Sequence, residues 1–166
     1  MGSGSTRRGL TALFLVVMAG QAVAGQAGAD CLQSSVELRS GTSVARFNIE
    51  LADSDAERAQ GLMNRAKMAA SAGMLFVYDT PRRATFWMKD TLLPLDMIFA
   101  DATGLVTRVH ANAKPLDTTT IDGGDAVTFV LEINGGLAKR LGIAEGSVLR
   151  HPLVDQSAAV WPCDSD

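Results

Sequence analysis

Short segments in which apolar and polar residues alternate, separated by turn sequences, run through most of this 166-residue chain. Alternation with a period of two predicts β-strands that bury one face. Seven or eight such segments at regular spacing, with only two short helical patterns, predict a mainly β fold. We therefore expect a β-sandwich or a small closed barrel with two short helices.

The first helical pattern follows a predicted hairpin. Ser54 with Glu57 three residues later is a capping-box pattern, which predicts a helix from about Asp55 to about Met63. The segment "AGMLFVYDTP" predicts a strand ended by Pro81, and residues 85–89, "TFWMK", predict a second strand.

The second half of the chain follows the same logic. "NAKPLDTTTIDGGD" has the composition of a loop, and "AVTFVLEI" after it predicts a strand. "LAKRLGI" predicts about two turns of helix that end at Gly142, since glycine commonly follows the last helical turn.

The N-terminus has the pattern of a secretory signal peptide. Arg7 and Arg8 precede the apolar run 10–18, and small residues follow. We expect residues 1–29 to be removed, with cleavage before Gly25 as the alternative. The apolar run is about half the 20 residues that a membrane span needs. The expected product is residues 30–166, one β-rich domain that is periplasmic or secreted and has no stable membrane anchor after cleavage.

The two cysteines lie at opposite ends of the predicted mature chain. In an exported protein, Cys31 and Cys163 predict one disulfide that joins the termini, with two free thiols as the alternative. The net charge of −3, with no run of basic residues, argues against nucleic acid as a partner.

Most sequence signatures of enzymes are absent. The chain has no phosphate-binding loop, no dinucleotide fingerprint, no Gly-x-Ser-x-Gly motif and no Cys-x-x-Cys motif. His110 and His151 are the only histidines, and neither has a second histidine or a cysteine at metal-ligand spacing. We therefore expect no cofactor and favour a function other than catalysis.

A long ordered set of motifs resembles one known family. Read in order, the chain contains Gly-Leu-Met-x-Arg, Gly-Met-Leu-Phe and Trp-Met-Lys-x-Thr-x-x-Pro-Leu-Asp, followed by "FVLEINGGLAKRLGI". Over about residues 36–150 it resembles the exported, single-domain proteins of domain-of-unknown-function family 192. The resemblance implies a jelly-roll-like, β-rich fold and implies no activity. The cysteines lie outside the shared region.

Polar residues inside the apolar stretch "TFWMKDTLLPLDMIF" are the main functional candidates. Trp87 and Lys89 are predicted on one face of a strand, and Thr91 and Asp96 at the same end of the sheet. With Arg65, they predict a pocket for a small anionic or glycan-like ligand. An indole beside charged groups is a common binding surface. The leading hypothesis is an exported binding or accessory domain of the cell envelope.

The same residues allow a structural interpretation. Lys89 and Asp96 could form an ion pair that fixes the corner between two strands. Arg65 could pair with Asp96 or with Glu132, which lies on an otherwise apolar strand.

Two further functions remain open at this point. An enzyme of the hydrolase type would need a general acid and base, for which Asp96 and Glu132 are the best pair. A Cu(I) site could use thioethers near Trp87, since all the methionines of the predicted mature chain lie in one segment. Equally, these residues could fill an irregular core. They are Met63, Met68, Met74, Met88 and Met97.

Overall fold

The computed structural model describes residues 31–165, together with residues 1 and 2. Apart from residues 1 and 2, the predicted signal peptide and its cleavage positions therefore lie outside the described residues. Within the described part, no helix combines the length and the hydropathy that a membrane crossing requires.

Seven strands and two helices make up residues 31–165. The strands are β1 (Ser35–Ser40), β2 (Ser43–Ala52), β3 (Ala72–Phe86), β4 (Leu95–Ala100), β5 (Val106–Ala113), β6 (Ile121–Asn134) and β7 (Val148–Arg150). The helices are α1 (Asp55–Gln60) and α2 (Leu137–Leu141).

All seven strands belong to one sheet in the order β5-β4-β6-β3-β2-β1-β7. Every pairing is antiparallel except that of β2 with β3, which α1 connects. The sheet curls until its two ends meet, because Leu105, just before β5, bridges to Val148 of β7. The Leu149 N–H also donates to the Gly104 carbonyl at 2.7 Å. The predicted mainly β fold with two short helices is confirmed, in its barrel-like form.

Two apolar clusters cover the two faces of the sheet. Along β6, Phe129, Leu131 and Ile133 face one cluster and Val130 faces the other, as the alternation of a strand requires. The inner core contains Val36, Leu38, Phe47, Leu75, Ile98, Ala100, Val106, Phe129, Leu131, Ile133, Leu137, Ala138, Ile143, Leu149 and Val154. The outer core contains Ala52, Leu62, Met74, Phe76, Ala84, Met88, Leu95, Met97, Phe99, Ala113, Ile121, Val127 and Val130.

The prediction that Pro81 ends a strand was wrong. β3 continues through it to Phe86, and the register with β6 shifts between Val77 and Arg82. Residues 78–81 therefore lie outside the β-ladder. A proline is tolerated there because no backbone N–H is needed for strand pairing. The strand stops before Trp87, so the second predicted strand is only the end of β3.

β6 begins inside the segment that was predicted to be a loop. Gly123 lies in β6 against Phe99, and a Cβ atom there would approach the Phe99 ring to 2.3 Å. This glycine therefore makes room for an aromatic ring instead of forming a turn.

The start of α1 and the end of α2 agree with their sequence signals, but α1 is shorter than predicted. The capping box of Ser54 and Glu57 is present, but α1 ends at Gln60 instead of near Met63. Gly142 ends α2 with a φ of 70°, in the left-handed region that glycine favours.

The predicted disulfide between Cys31 and Cys163 is confirmed. The C-terminal segment is also held by Trp161, whose ring lies between the guanidinium groups of Arg39 and Arg150 at 4.5 and 4.0 Å. The ends of the described domain are therefore joined covalently and by packing.

Candidate functional site

A cleft with a volume of about 220 Å³ opens beside the outer core. The C-terminal end of α1 and the residues after it form one wall, and the last part of β3 with Trp87 forms the other. The lining residues are Arg58, Ala59, Gln60, Gly61, Leu62, Met63, Phe76, Tyr78, Thr85, Phe86, Trp87, Thr91 and Glu132.

Glu132 is the buried acidic residue of this cleft. It lies near the C-terminal end of β6, where it pairs in register with Met74 of β3 and Met97 of β4, and it is only 5% exposed. Within residues 31–165 its carboxyl group has no hydrogen bond or ion pair, and burial alone raises its pKa to about 8. At neutral pH the carboxyl group is therefore mainly protonated.

Arg58 lies in the wall of the cleft but is already engaged. Its guanidinium donates to the carbonyls of Asp53 and Val77 at 2.5 and 2.7 Å, and it pairs with Asp55 at 2.7 Å. It also lies 5.3 Å from the centre of the Tyr78 ring. Arg58 therefore orders the wall, and its guanidinium is already bonded to Asp55 and to two backbone carbonyls.

Tyr78 of β3 adds an aromatic ring to the lining of the cleft, next to Arg58. Its ring contacts the guanidinium groups of Arg58 and Arg82, at 5.3 and 5.1 Å from the ring centre. Burial raises the pKa of Tyr78, and the negative charge of ionised Glu132 raises it further. The phenol is therefore a neutral donor and acceptor beside Glu132.

Trp87 forms the outer rim. It is 51% exposed, whereas Phe86 is half-buried and packs edge-on against Phe76 and Phe99, with ring centres 5.2 and 5.8 Å apart. The Lys89 ammonium lies 5.5 Å from the centre of the indole ring. The indole therefore offers an exposed apolar surface at the mouth of the cleft.

The structure brings only part of the predicted cluster together. Trp87 and Thr91 line the cleft, and Lys89 contacts Trp87 without lining it. Arg65 lies in a neighbouring groove, where both of its terminal nitrogens donate to the Glu50 carboxylate at 2.5 Å. The predicted pairing of Arg65 with Asp96 or Glu132 is therefore replaced by a pair with Glu50.

Asp96 is fully buried and satisfied by backbone groups. Its carboxylate accepts from the N–H groups of Asn112 at 2.6 Å, Gly136 at 2.9 Å and Ala138 at 2.7 Å. Gly136 offers no side-chain cap to α2, so Asp96 caps that helix from β4. These contacts fit the structural interpretation, in which Asp96 fixes the corner between two strands. Its partners, however, are backbone amides instead of Lys89.

Asp96 and Glu132 lie on opposite faces of the sheet. In the register of β4 with β6, Asp96 pairs with Ile133 and Met97 pairs with Glu132. Paired residues share a face and successive residues alternate, so the two carboxyl groups are separated by the sheet. This arrangement does not allow them to act as one acid and base pair.

The methionines follow the core interpretation of their pattern. Met74, Met88 and Met97 are buried in the outer core, Met68 packs against it and Met63 lines the cleft. Within the described residues, no group of three or more His, Cys, Asp or Glu side chains could hold a metal ion. Binding of Cu(I) by thioethers stays a prediction.

Sequence reasoning missed the two residues that build the wall beside Glu132. Arg58 and Tyr78 carry no motif, and they meet only because the fold places α1 beside the middle of β3. Glu132 did carry a signal, since a single glutamate stood within a run of apolar strand residues.

We expect Glu132 to make folding stability fall as the pH rises. Its folded-state pKa of about 8 is above the ordinary value of 4.5, so its contribution is complete below pH 4.5 and is lost as the pH rises through 8. Between pH 5 and 7 the wild type should lose about 2 to 3 kcal/mol relative to Glu132→Gln. Urea unfolding of both proteins across this range measures the difference, and Glu50→Gln is the control. Parallel stability curves for wild type and Glu132→Gln would contradict the assignment.

Comparison with known proteins gives one family and two related structures. The model of domain-of-unknown-function family 192, described as an uncharacterized ACR family, matches residues 36–151. A crystal structure of a protein of unknown function from Novosphingobium aromaticivorans is 42% identical, with a TM-score of 0.68, and covers 69% of this chain and 82% of its own. A protein from Sinorhizobium meliloti, described as a "putative transcription regulator", is 39% identical, with a TM-score of 0.69, over 72% of this chain and 94% of its own. No curated protein matches.

Proposed function

Because the chain belongs to domain-of-unknown-function family 192, whose description names no activity, we propose from its own cleft that it is a binding domain of the cell envelope for a small, glycan-like ligand. The exposed Trp87 indole beside the buried Glu132 carboxyl carries this proposal. Sugar rings present an apolar face and a rim of hydroxyl groups, which match an indole and a polar floor respectively.

The size and polarity of the cleft support a ligand of one ring. Its volume of about 220 Å³ is smaller than the roughly 300 to 1,000 Å³ of sites for drug-sized molecules. Hydroxyl groups of a ring would meet Glu132, which can donate and accept hydrogen bonds when it is protonated. They would also meet the Thr91 hydroxyl, which donates to the Lys89 carbonyl at 3.1 Å and can still accept.

A glycan-like ligand is favoured over an anionic one. Arg65 pairs with Glu50 outside the cleft, and Lys89 does not line it. Arg58 is already bonded to Asp55 and to two carbonyls. An anion would therefore find no unengaged cation in the lining and would approach an acidic residue.

Binding is also favoured over hydrolysis with two carboxyl groups. Glu132 is the single acidic side chain that lines the described cleft, and Asp96 is bound to backbone amides on the other face of the sheet. Glycoside hydrolysis of the ordinary kind needs two carboxyl groups flanking one bond.

Export supports a location in the cell envelope. The sequence predicts a signal peptide, and disulfides such as Cys31–Cys163 persist in oxidising compartments. The description of the Sinorhizobium meliloti protein as a regulator of transcription does not carry over, because this chain has a net charge of −3 and no basic run to meet phosphates.

We expect Trp87→Ala to weaken ligand binding about tenfold or more while changing stability little, since the ring is half exposed. Phe86→Ala should instead destabilise the protein by about 2 to 4 kcal/mol, because its ring packs between Phe76 and Phe99. Titration of the protein with monosaccharides, followed by amide NMR shifts, measures binding, and urea unfolding measures stability.

Leu92→Ala is the matched control, because Leu92 is 47% exposed in the following turn and does not line the cleft. It should retain wild-type binding. If no monosaccharide shifts the amide signals of the cleft, or if Trp87→Ala binds like the wild type, the proposed function is wrong.

A further inference from the structure

Glu132 lacks the partner that a buried carboxyl group ordinarily has. It is 5% exposed, its neighbours in register are Met74 and Met97, and no described side chain or backbone group donates to it. By contrast, the buried Asp96 on the next strand accepts three hydrogen bonds. The fold therefore satisfies one buried carboxyl group and leaves the other directed to the cleft.

The surrounding charges do not supply the missing partner. Among the residues lining the cleft, the titratable or charged groups besides Glu132 are Arg58 on α1 and Tyr78 on β3. The Arg58 guanidinium is bonded to Asp55, Asp53 and Val77. Arg82 contacts the Tyr78 ring and does not line the cleft.

The rest of the lining suits a cation of moderate size. The rings of Phe86 and Trp87 and the Tyr78 phenol border the space above Glu132. Aromatic faces attract ammonium groups electrostatically, and a carboxylate that pairs with an ammonium group forms a strong, charge-assisted hydrogen bond.

We propose that the ligand of this cleft is an amino sugar, whose primary ammonium group pairs with the Glu132 carboxylate while its ring packs on Trp87. This inference rests on the proposed function, because it specifies which glycan-like ligand the cleft selects. The amine replaces the partner that the fold itself does not provide.

Binding of such a ligand has a defined proton balance. In the free protein at pH 6, the carboxyl group carries a proton, since that pH is below its pKa of about 8. Pairing with an ammonium group favours the carboxylate, so the proton passes from Glu132 to the buffer and the amine keeps its own. Close to one proton should be released for each ligand bound.

Titration calorimetry with glucosamine, glucose and N-acetylglucosamine near pH 6 tests the inference. Wild-type protein should bind glucosamine about tenfold or more tightly than the other two, which offer the same ring without a basic amine. The heat of glucosamine binding should depend on the ionisation enthalpy of the buffer, whereas that of glucose should not.

Glu132→Gln should bind glucosamine no more tightly than glucose or N-acetylglucosamine, and its glucosamine binding should release no proton. Glu50→Gln removes an acidic group that lies outside the cleft and should behave like the wild type. Urea unfolding of both variants establishes that each is folded.

The outcomes separate the two proposals. If glucose and glucosamine bind equally, the amino-sugar inference is overturned and the glycan-like function stands. If the preference persists in Glu132→Gln, the role of Glu132 is overturned. If none of the three sugars binds, the proposed function itself fails, and this inference fails with it.

Discussion

Replacement of both Cys31 and Cys163 by serine is expected to lower the free energy of unfolding by about 4 to 5 kcal/mol. The bond joins residues that are 132 positions apart, and by the chain-entropy description a long closed loop restricts the unfolded chain strongly. Urea unfolding of the purified double variant beside the oxidised wild type measures the loss.

The double variant should still fold. Trp161 remains between Arg39 and Arg150, and Arg150 pairs with Glu37 of β1, so the C-terminal segment keeps its native contacts. Reduced wild-type protein is the control and should match the double variant. A loss of less than about 1 kcal/mol in both would show that the bond constrains an already compact unfolded state.

Asp96→Asn should cost about 3 to 5 kcal/mol. The carboxylate accepts from three buried backbone N–H groups, and hydrogen bonds to a charged acceptor contribute about 1.5 to 3 kcal/mol each. An amide of the same shape turns one acceptor into a donor, which would face an N–H group of Asn112, Gly136 or Ala138. Chemical unfolding at neutral pH measures the change.

Arg65→Met and Lys89→Met are the matched comparisons for this loss. Arg65 pairs with an exposed Glu50, and Lys89 lies on the exposed Trp87 ring, so each change should cost no more than about 1 kcal/mol. Equal, large losses at all three positions would indicate one buried network and would contradict the separation seen here. A small loss at Asp96 alone would contradict its role as the cap of α2.

The sequence predicted the features that depend on local pattern. Strand alternation placed Phe86 inward and Trp87 outward, and the capping box of Ser54 and Glu57 marked the start of α1. The cysteine positions predicted the disulfide. Strand alternation and the capping box depend on residues close together in the sequence, and two cysteines allow only one disulfide. These features can therefore be predicted without knowing the fold.

The features that the sequence did not predict depend on contacts between distant segments. Pro81 is tolerated because β3 leaves the ladder beside it, and Gly123 is needed because Phe99 packs on it. No local pattern shows either contact. The same limit applies to the site, since Lys89 and Asp96 are close in sequence but have separate partners.

For Glu132, the sequence indicated a buried position but did not indicate its surroundings. From the sequence, Arg65 was a possible partner for this glutamate, because buried charges are ordinarily paired. The structure instead leaves it unpaired beside a cleft and raises its pKa to about 8. Burial was predictable from the strand pattern, whereas the cleft depends on α1, Tyr78 and Trp87 coming together.

The pairing of β1 with β7 sets an order of events for the biogenesis of this protein. Translation proceeds from the N-terminus, so β1 (Ser35–Ser40) is the first strand of the sheet to be made and its edge partner β7 (Val148–Arg150) is the last of the seven. Until then the outer edge of the β1–β2 hairpin has unpaired backbone groups, and Val36 and Leu38 have no barrel interior to enter. Closure of the sheet must therefore wait until residues 148–150 have emerged, and the interval before it is when the growing chain is most exposed to aggregation.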